Sequence, residues 1–65
     1  MQVTLPNGQL VGFFDGDYVA SNTGVTLYRV DGDEVYTYGP NAKLLGYLVG
    51  NVAKSVFGET LFMLS

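Results

Sequence analysis

Glycine recurs at every eighth residue through the first half of this chain, and no other feature limits its fold so strongly. Each of these glycines closes a turn signal, as in Asp15-Gly16; the four positions are Gly8, Gly16, Gly24 and Gly32. Asn-Gly and Asp-Gly pairs suit two-residue hairpin turns whose central residues both take positive φ. Turns at this spacing predict an antiparallel meander of short strands.

The two halves of the chain resemble each other at an offset of 34 residues. Residues 1–31 align with residues 35–65 without a gap, and nine of the 31 aligned positions are identical. Chance similarity between chains this short gives about two identities. We therefore interpret the chain as a single domain, 1–65, with an internal repeat, the alternative being that two glycine-rich β segments share a composition.

The turn signals of both halves divide the chain into eight strands. Val, Thr, Tyr and Phe dominate these segments, as a pleated surface favours. Gly12 and Gly46 lie inside strands, where glycine marks a bulge or bend, so we expect the sheet to curl there. The strands are expected near residues 2–5, 9–14, 17–21, 25–30, 34–38, 43–48, 52–55 and 59–64.

A helix near residues 42–57 is the alternative for the second half. Asn41 suits its N-cap, and an apolar stripe from Leu45 to Val56 falls on one helical face. Gly46 and Gly50 oppose it, since each costs about 1 kcal/mol in a helix interior. The favoured fold is all-β, a small barrel or sandwich, and the alternative is α+β with one helix.

Several strands are apolar on both faces, which predicts self-association. Residues 10–14 and 61–64 contain no polar side chain. A domain of about 60 residues buries only about 60% of its unfolded surface and is marginal alone. We therefore expect a second chain to complete the sheet in a homodimer, either directly or by strand exchange about residues 31–34. A monomeric barrel is the alternative.

Composition excludes several classes of function. The chain has no Cys and no His, which excludes thiol and histidine catalysis and zinc sites built from these residues. Three basic residues against six acidic ones make nucleic acid an unexpected partner. Neither a secretory signal nor a membrane span is present, so the default expectation is a cytoplasmic protein without a membrane partner or cofactor.

Two acidic turns form the first candidate site. Turns two apart in a meander fall at the same end of the sheet, where their carboxylates would converge on a hard cation such as Ca²⁺. The simpler interpretation is hairpin chemistry with solvated acids. The candidate ligands are Asp15, Asp17, Asp31, Asp33 and Glu34.

Five tyrosines form the second candidate site. Exposed tyrosine anchors protein partners or stacks on ligands, although tyrosines at a sheet edge or a dimer seam look the same in sequence. Arg29, the only arginine, is expected to pair with a carboxylate such as Glu34 or Asp17. The tyrosines are Tyr18, Tyr28, Tyr36, Tyr38 and Tyr47.

These patterns predict a small soluble interaction module and no enzyme. Its expected partner is a second copy of itself, together with an unidentified protein bound through strand edges. The alternative function is a ligand-binding barrel with a cavity lined by Tyr and Phe.

Overall fold

The chain folds into a closed, eight-stranded antiparallel barrel. The computed structural model describes residues 1–65, and each strand pairs with its neighbours in sequence while the last pairs with the first. The prediction of an all-β meander is confirmed. The strands are β1 (Gln2–Thr4), β2 (Leu10–Phe14), β3 (Tyr18–Ser21), β4 (Thr26–Asp31), β5 (Glu34–Thr37), β6 (Leu44–Val49), β7 (Val52–Ser55) and β8 (Thr60–Leu64).

The alternative helix near residues 42–57 does not form. This segment is the β6–β7 hairpin, in which Tyr47 faces Lys54 and Val49 faces Val52. Gly50 turns the chain with a φ of +61°, a left-handed conformation that no helix interior accepts. The same apolar residues that would line a helix therefore alternate between the two faces of strands.

The tight turns differ from the predicted type. Asp31 faces Glu34, which leaves Gly32 and Asp33 as the central residues. Gly32 has a φ of +64°, whereas no residue other than glycine has a positive φ. The left-handed residue is thus the first central one alone, as in a type II′ turn, and the expectation of positive φ at both central residues is wrong.

Bulges in alternate ladders curl the sheet. In the β1–β2 ladder the register passes from Val3↔Gly12 to Thr4↔Leu10, so Val11 has no partner. The β3–β4, β5–β6 and β7–β8 ladders shift in the same way. Each extra residue increases the local twist and bend, which a barrel this small requires. The four unpaired residues are Val11, Leu27, Leu45 and Leu61.

Gly12 and Gly46 stand beside two of these bulges at points where backbones nearly touch. A Cβ added at Gly12 would overlap the carbonyl oxygen of Ala20 and lie 2.8 Å from the Cα of Ser21. A Cβ at Gly46 would meet Lys54 and Ser55 in the same way. The predicted bends are therefore present, and only glycine permits the approach.

The two halves share their hydrogen bonds, with one difference in register. The amide of Ser21 donates to Val25 at 2.7 Å and the amide of Ser55 to Glu59 at 2.7 Å, which is an offset of 34. The first strands correspond at an offset of 32 instead, because Val3 faces Gly12 whereas Val35 faces Gly46. The connection from β5 to β6 is therefore two residues longer between equivalent pairs than that from β1 to β2.

Apolar side chains fill the barrel, and no polar side chain is buried in it. All eight strands come from one chain and each has two neighbours, so closure itself does not require a second chain. Association of whole barrels stays a prediction. The buried residues are Val3, Val19, Val30, Val35, Ala53, Phe62 and Leu64.

We predict that Gly12→Ala destabilises the barrel by about 3 kcal/mol, because the added methyl group meets backbone atoms that cannot move aside without opening the ladder. Gly8→Ala is the matched control, since Gly8 has a φ of +87° and open space around it. The control should lose only about 1 kcal/mol from backbone strain. Urea unfolding of both variants measures the difference, and equal losses would show that close approach is not the constraint.

Candidate functional site

Three of the five candidate tyrosines lie near Arg29 on the outer wall of the barrel: Tyr18 on β3, Tyr36 on β5 and Tyr38 just after β5. Tyr18 faces Arg29 across the β3–β4 ladder, and Arg29 faces Tyr36 across the β4–β5 ladder. Cross-strand partners share a face. The neighbouring Val19, Val30 and Val35 are buried inside, so this row of side chains points outward.

Arg29 is held in place by contacts that leave its hydrogen-bond donors free. Its guanidinium carbon lies 4.7 Å from the centroid of the Tyr36 ring, a cation–π contact. Its Nη1 atom lies 3.6 Å from Oδ2 of Asp31, too far for a hydrogen bond. Arg29 thus pairs loosely with Asp31, and the expected partners Glu34 and Asp17 are not in contact with it.

Glu34 acts instead on Tyr36. The Tyr36 hydroxyl donates a hydrogen bond of 2.9 Å to Oε1 of Glu34. This bond, together with partial burial and the nearby negative charge, raises the pKa of Tyr36 above its usual value. The bond fixes the ring that supports the guanidinium of Arg29.

Tyr38 extends the group over a pocket. Its ring meets the Tyr18 ring edge to face, with centroids 5.9 Å apart. An open pocket of about 360 Å³ lies between Arg29 on β4 and the start of the β5–β6 connection. It is the one pocket in the structure, and its lining consists of Arg29, Thr37, Tyr38, Gly39, Pro40 and Ala42.

The other two candidate tyrosines lie elsewhere. Tyr28 packs against the buried core, with its ring centroid 5.2 Å from that of Phe62. Tyr47 is on the outer wall of β6, where it faces Glu34 on one side and Lys54 on the other. The alternation of each strand therefore gives Tyr28 a structural position and leaves Tyr47 outside the group around Arg29.

The acidic turns lie at one end of the barrel, yet the structure does not assemble a metal site from them. No group of three or more carboxylates is arranged to hold a metal ion. The Asp15 carboxylate instead accepts backbone hydrogen bonds from Asp17 at 2.9 Å and Tyr18 at 2.8 Å. Asp31 and Glu34 face the arginine group, as described above, and Asp17 and Asp33 are exposed.

An apolar row crosses the opposite side of the barrel. Its members are successive cross-strand partners around β2, β1, β8, β7 and β6, and they alternate with buried neighbours, so they point outward. Leu10 is 39% exposed, Met63 37% and Val49 65%, while Phe13 beside the row is 53% exposed. The row consists of Leu10, Thr4, Met63, Val52 and Val49.

The strands of this side carry almost no charged side chain. Among the five strands that carry the apolar row, Lys54 is the only charged residue, whereas β4 and β5 carry Arg29, Asp31 and Glu34. The two-faced apolar strands are visible in the sequence, but this surface is not. Residues 1–14 and 60–65 contain no charged side chain, and only barrel closure makes these two stretches adjacent.

Comparison of the chain with protein-family models, with curated proteins and with solved structures found no match. The structure contains no helix with the length and hydropathy needed to cross a membrane. The two surfaces described above are thus the basis for assigning a function.

We predict that the stabilising effect of Asp15 disappears in acid. Backbone amides of Tyr18 and Asp17 donate to its carboxylate and lower its pKa below 3.8. Because the folded state favours the ionised carboxylate, Asp15 stabilises the fold at pH values above the pKa that it has in the unfolded chain. This stabilisation is lost as the pH falls through the lower pKa of the folded state. Asp15→Ala should lower Tm by a few degrees at pH 7 and by less near pH 2. A difference in Tm that is the same at both pH values would contradict this role for the charge.

Proposed function

We propose that this protein is a small interaction module without catalytic activity, and that it forms a homodimer through the apolar row. The observation that carries the proposal is the partition of the outer wall. Five adjacent strands expose Leu10, Phe13, Met63 and Val49 with one charged residue among them, while the remaining wall carries the charges. Exposed apolar patches of this kind mark interaction surfaces.

A second copy of the same chain is the occupant that this surface fits. A two-fold dimer places the same patch on both partners, so an uncharged apolar row meets its own equivalent without burying an unpaired charge. A standard interface covers about 800 Å² on each partner, which is about one fifth of the 4118 Å² surface of this barrel.

The position of the barrel seam also supports the proposal. The β1–β8 ladder has two paired positions, the fewest of any ladder, and Thr4↔Met63 is one of them. The apolar row therefore crosses the seam where the first and last strands meet. A partner bound there shields the ladder with the fewest paired positions from water and removes apolar surface at the same time.

Strand exchange is the second form that such a dimer can take. The tight turn between Asp31 and Glu34 joins the two halves, and its opening would send β5–β8 of one chain into the barrel of another. The closed turn and the complete single-chain barrel favour docking of two closed barrels. The rate at which chains mix separates the two forms, since exchange of halves requires partial unfolding and docking does not.

We predict that the wild-type protein sediments with the mass of two chains at micromolar concentration, and that Met63→Lys sediments with the mass of one. The added charge would lie in the middle of the proposed interface, where it has no partner. Thr26→Lys is the matched control, because it adds the same charge to an outward-facing position of β4 on the other side of the barrel. The control should remain dimeric.

Analytical ultracentrifugation of the three proteins, with melting temperatures to establish folding, tests this proposal. A wild-type protein that sediments as one chain would overturn the dimer. A dimer that survives Met63→Lys would overturn the interface. Mixing isotopically light and heavy wild-type protein should give mixed dimers within minutes under native conditions, and mixing only after denaturation would replace docking with strand exchange.

A further inference from the structure

The pocket lies where β4 of the first half meets the β5–β6 connection of the second half, and it has no counterpart where β8 meets the β1–β2 connection. Seven residues, 37–43, separate Tyr36 from Leu44, whereas five, 5–9, separate the equivalent Thr4 from Leu10. The longer connection brings Tyr38, Gly39 and Pro40 against the outer side of β4. The arginine is also specific to one half, since the residue 34 positions later is Met63.

The pocket combines one cation with residues that carry apolar surface. Arg29 is its only charged lining residue, and Tyr38, Pro40 and Ala42 are the lining residues with apolar side-chain surface. Its volume of about 360 Å³ suits a small molecule or one terminal residue of a peptide. The Thr37 hydroxyl has a structural role, because its oxygen accepts a hydrogen bond of 2.8 Å from the Lys43 amide and so fixes the β5–β6 connection.

The guanidinium of Arg29 is held in a fixed position but is not hydrogen-bonded to any carboxylate of the protein. The Tyr36 ring at 4.7 Å holds the guanidinium in place, yet none of its N–H groups donates a hydrogen bond within the chain. A guanidinium presents paired donors that match both oxygens of a carboxylate. The nearest anion, Asp31, lies at 3.6 Å with its side chain 68% exposed, so a bound carboxylate can displace it.

We propose that this pocket binds the carboxylate of an aromatic acid, with the carboxylate on Arg29 and the ring against Tyr38 and Pro40. The same chemistry has two sources, a free aromatic acid and the C-terminal residue of a peptide. This site is on the wall opposite the apolar row and does not depend on the dimer. Its failure and the failure of the dimer are therefore separate results.

Titration with benzoate, followed by amide and arginine side-chain NMR signals, tests the proposal. Benzoate should shift the Arg29 side-chain signal and the amides of residues 37–39, 41 and 42, with a Kd of about 1 mM. Benzamide, which has the same ring without the charge, should bind at least about tenfold more weakly. Acetyl-phenylalanine and its amide repeat the comparison for a peptide terminus, and the tighter of the two acids identifies the source.

Variants at three positions make the test specific. Arg29→Gln should weaken benzoate binding at least about tenfold, since the paired donors are lost. Asp31→Asn should strengthen binding several-fold, because it removes the competing carboxylate and its repulsion. Lys54→Gln, which removes a cation on β7 away from the pocket, is the control and should leave binding unchanged. Equal shifts by benzoate and benzamide, or equal losses in Arg29→Gln and Lys54→Gln, would overturn the proposal.

Discussion

The fold depends on the close approach of backbones at Gly12 and Gly46. A ring of eight strands built from 65 residues must bend sharply. It bends at these two positions, where a bulge in one ladder lies beside a glycine. At both places the backbone of the next strand occupies the space of a Cβ atom. The interior that this tight closure leaves is small, and seven buried residues fill it, with Phe62 as the largest fully buried side chain.

Because the interior is so small, many apolar side chains lie on the outer surface of the barrel. Strands of this length carry more apolar residues than the core accepts, and the excess lies on the wall formed by β6, β7, β8, β1 and β2. Arg29, Asp31, Glu34 and three of the tyrosines lie on the opposite wall. In the proposed dimer the two tyrosine walls therefore face away from each other, and each copy keeps its pocket open to solvent.

Much of the fold could be predicted from the sequence, because glycine turns and β-rich segments are local signals. Each end of the eight strands lies within one residue of its expected position, and the bends at Gly12 and Gly46 are present. The bulges at Leu27 and Leu61 had no such signal, since no glycine marks them. The gapless alignment of the halves placed β5 two residues out of register with β1, because a longer connection after Thr37 is hidden when only identities are counted.

The candidate site was less accessible to sequence reasoning, because it depends on which strands become neighbours. Tyr18, Tyr36 and Tyr38 come together only through the ladders that join β3, β4 and β5, while Tyr28 turns inward by the alternation of its strand. Closure within one chain was only the alternative expectation, since it rests on a pairing between the first and last strands that no local signal marks. Periodicity does not report which strands meet across the whole length of a chain.

That last pairing has a consequence for the order in which the barrel forms and opens. Seven of the eight ladders join strands that follow each other in sequence, so their contacts form with short loops. The β1–β8 ladder alone closes a loop as long as the chain, and it does so with two paired positions. Among the ladders, amide exchange should therefore be fastest along this one. The native state should open there into a curved sheet at a lower free-energy cost than unfolding of the hairpins.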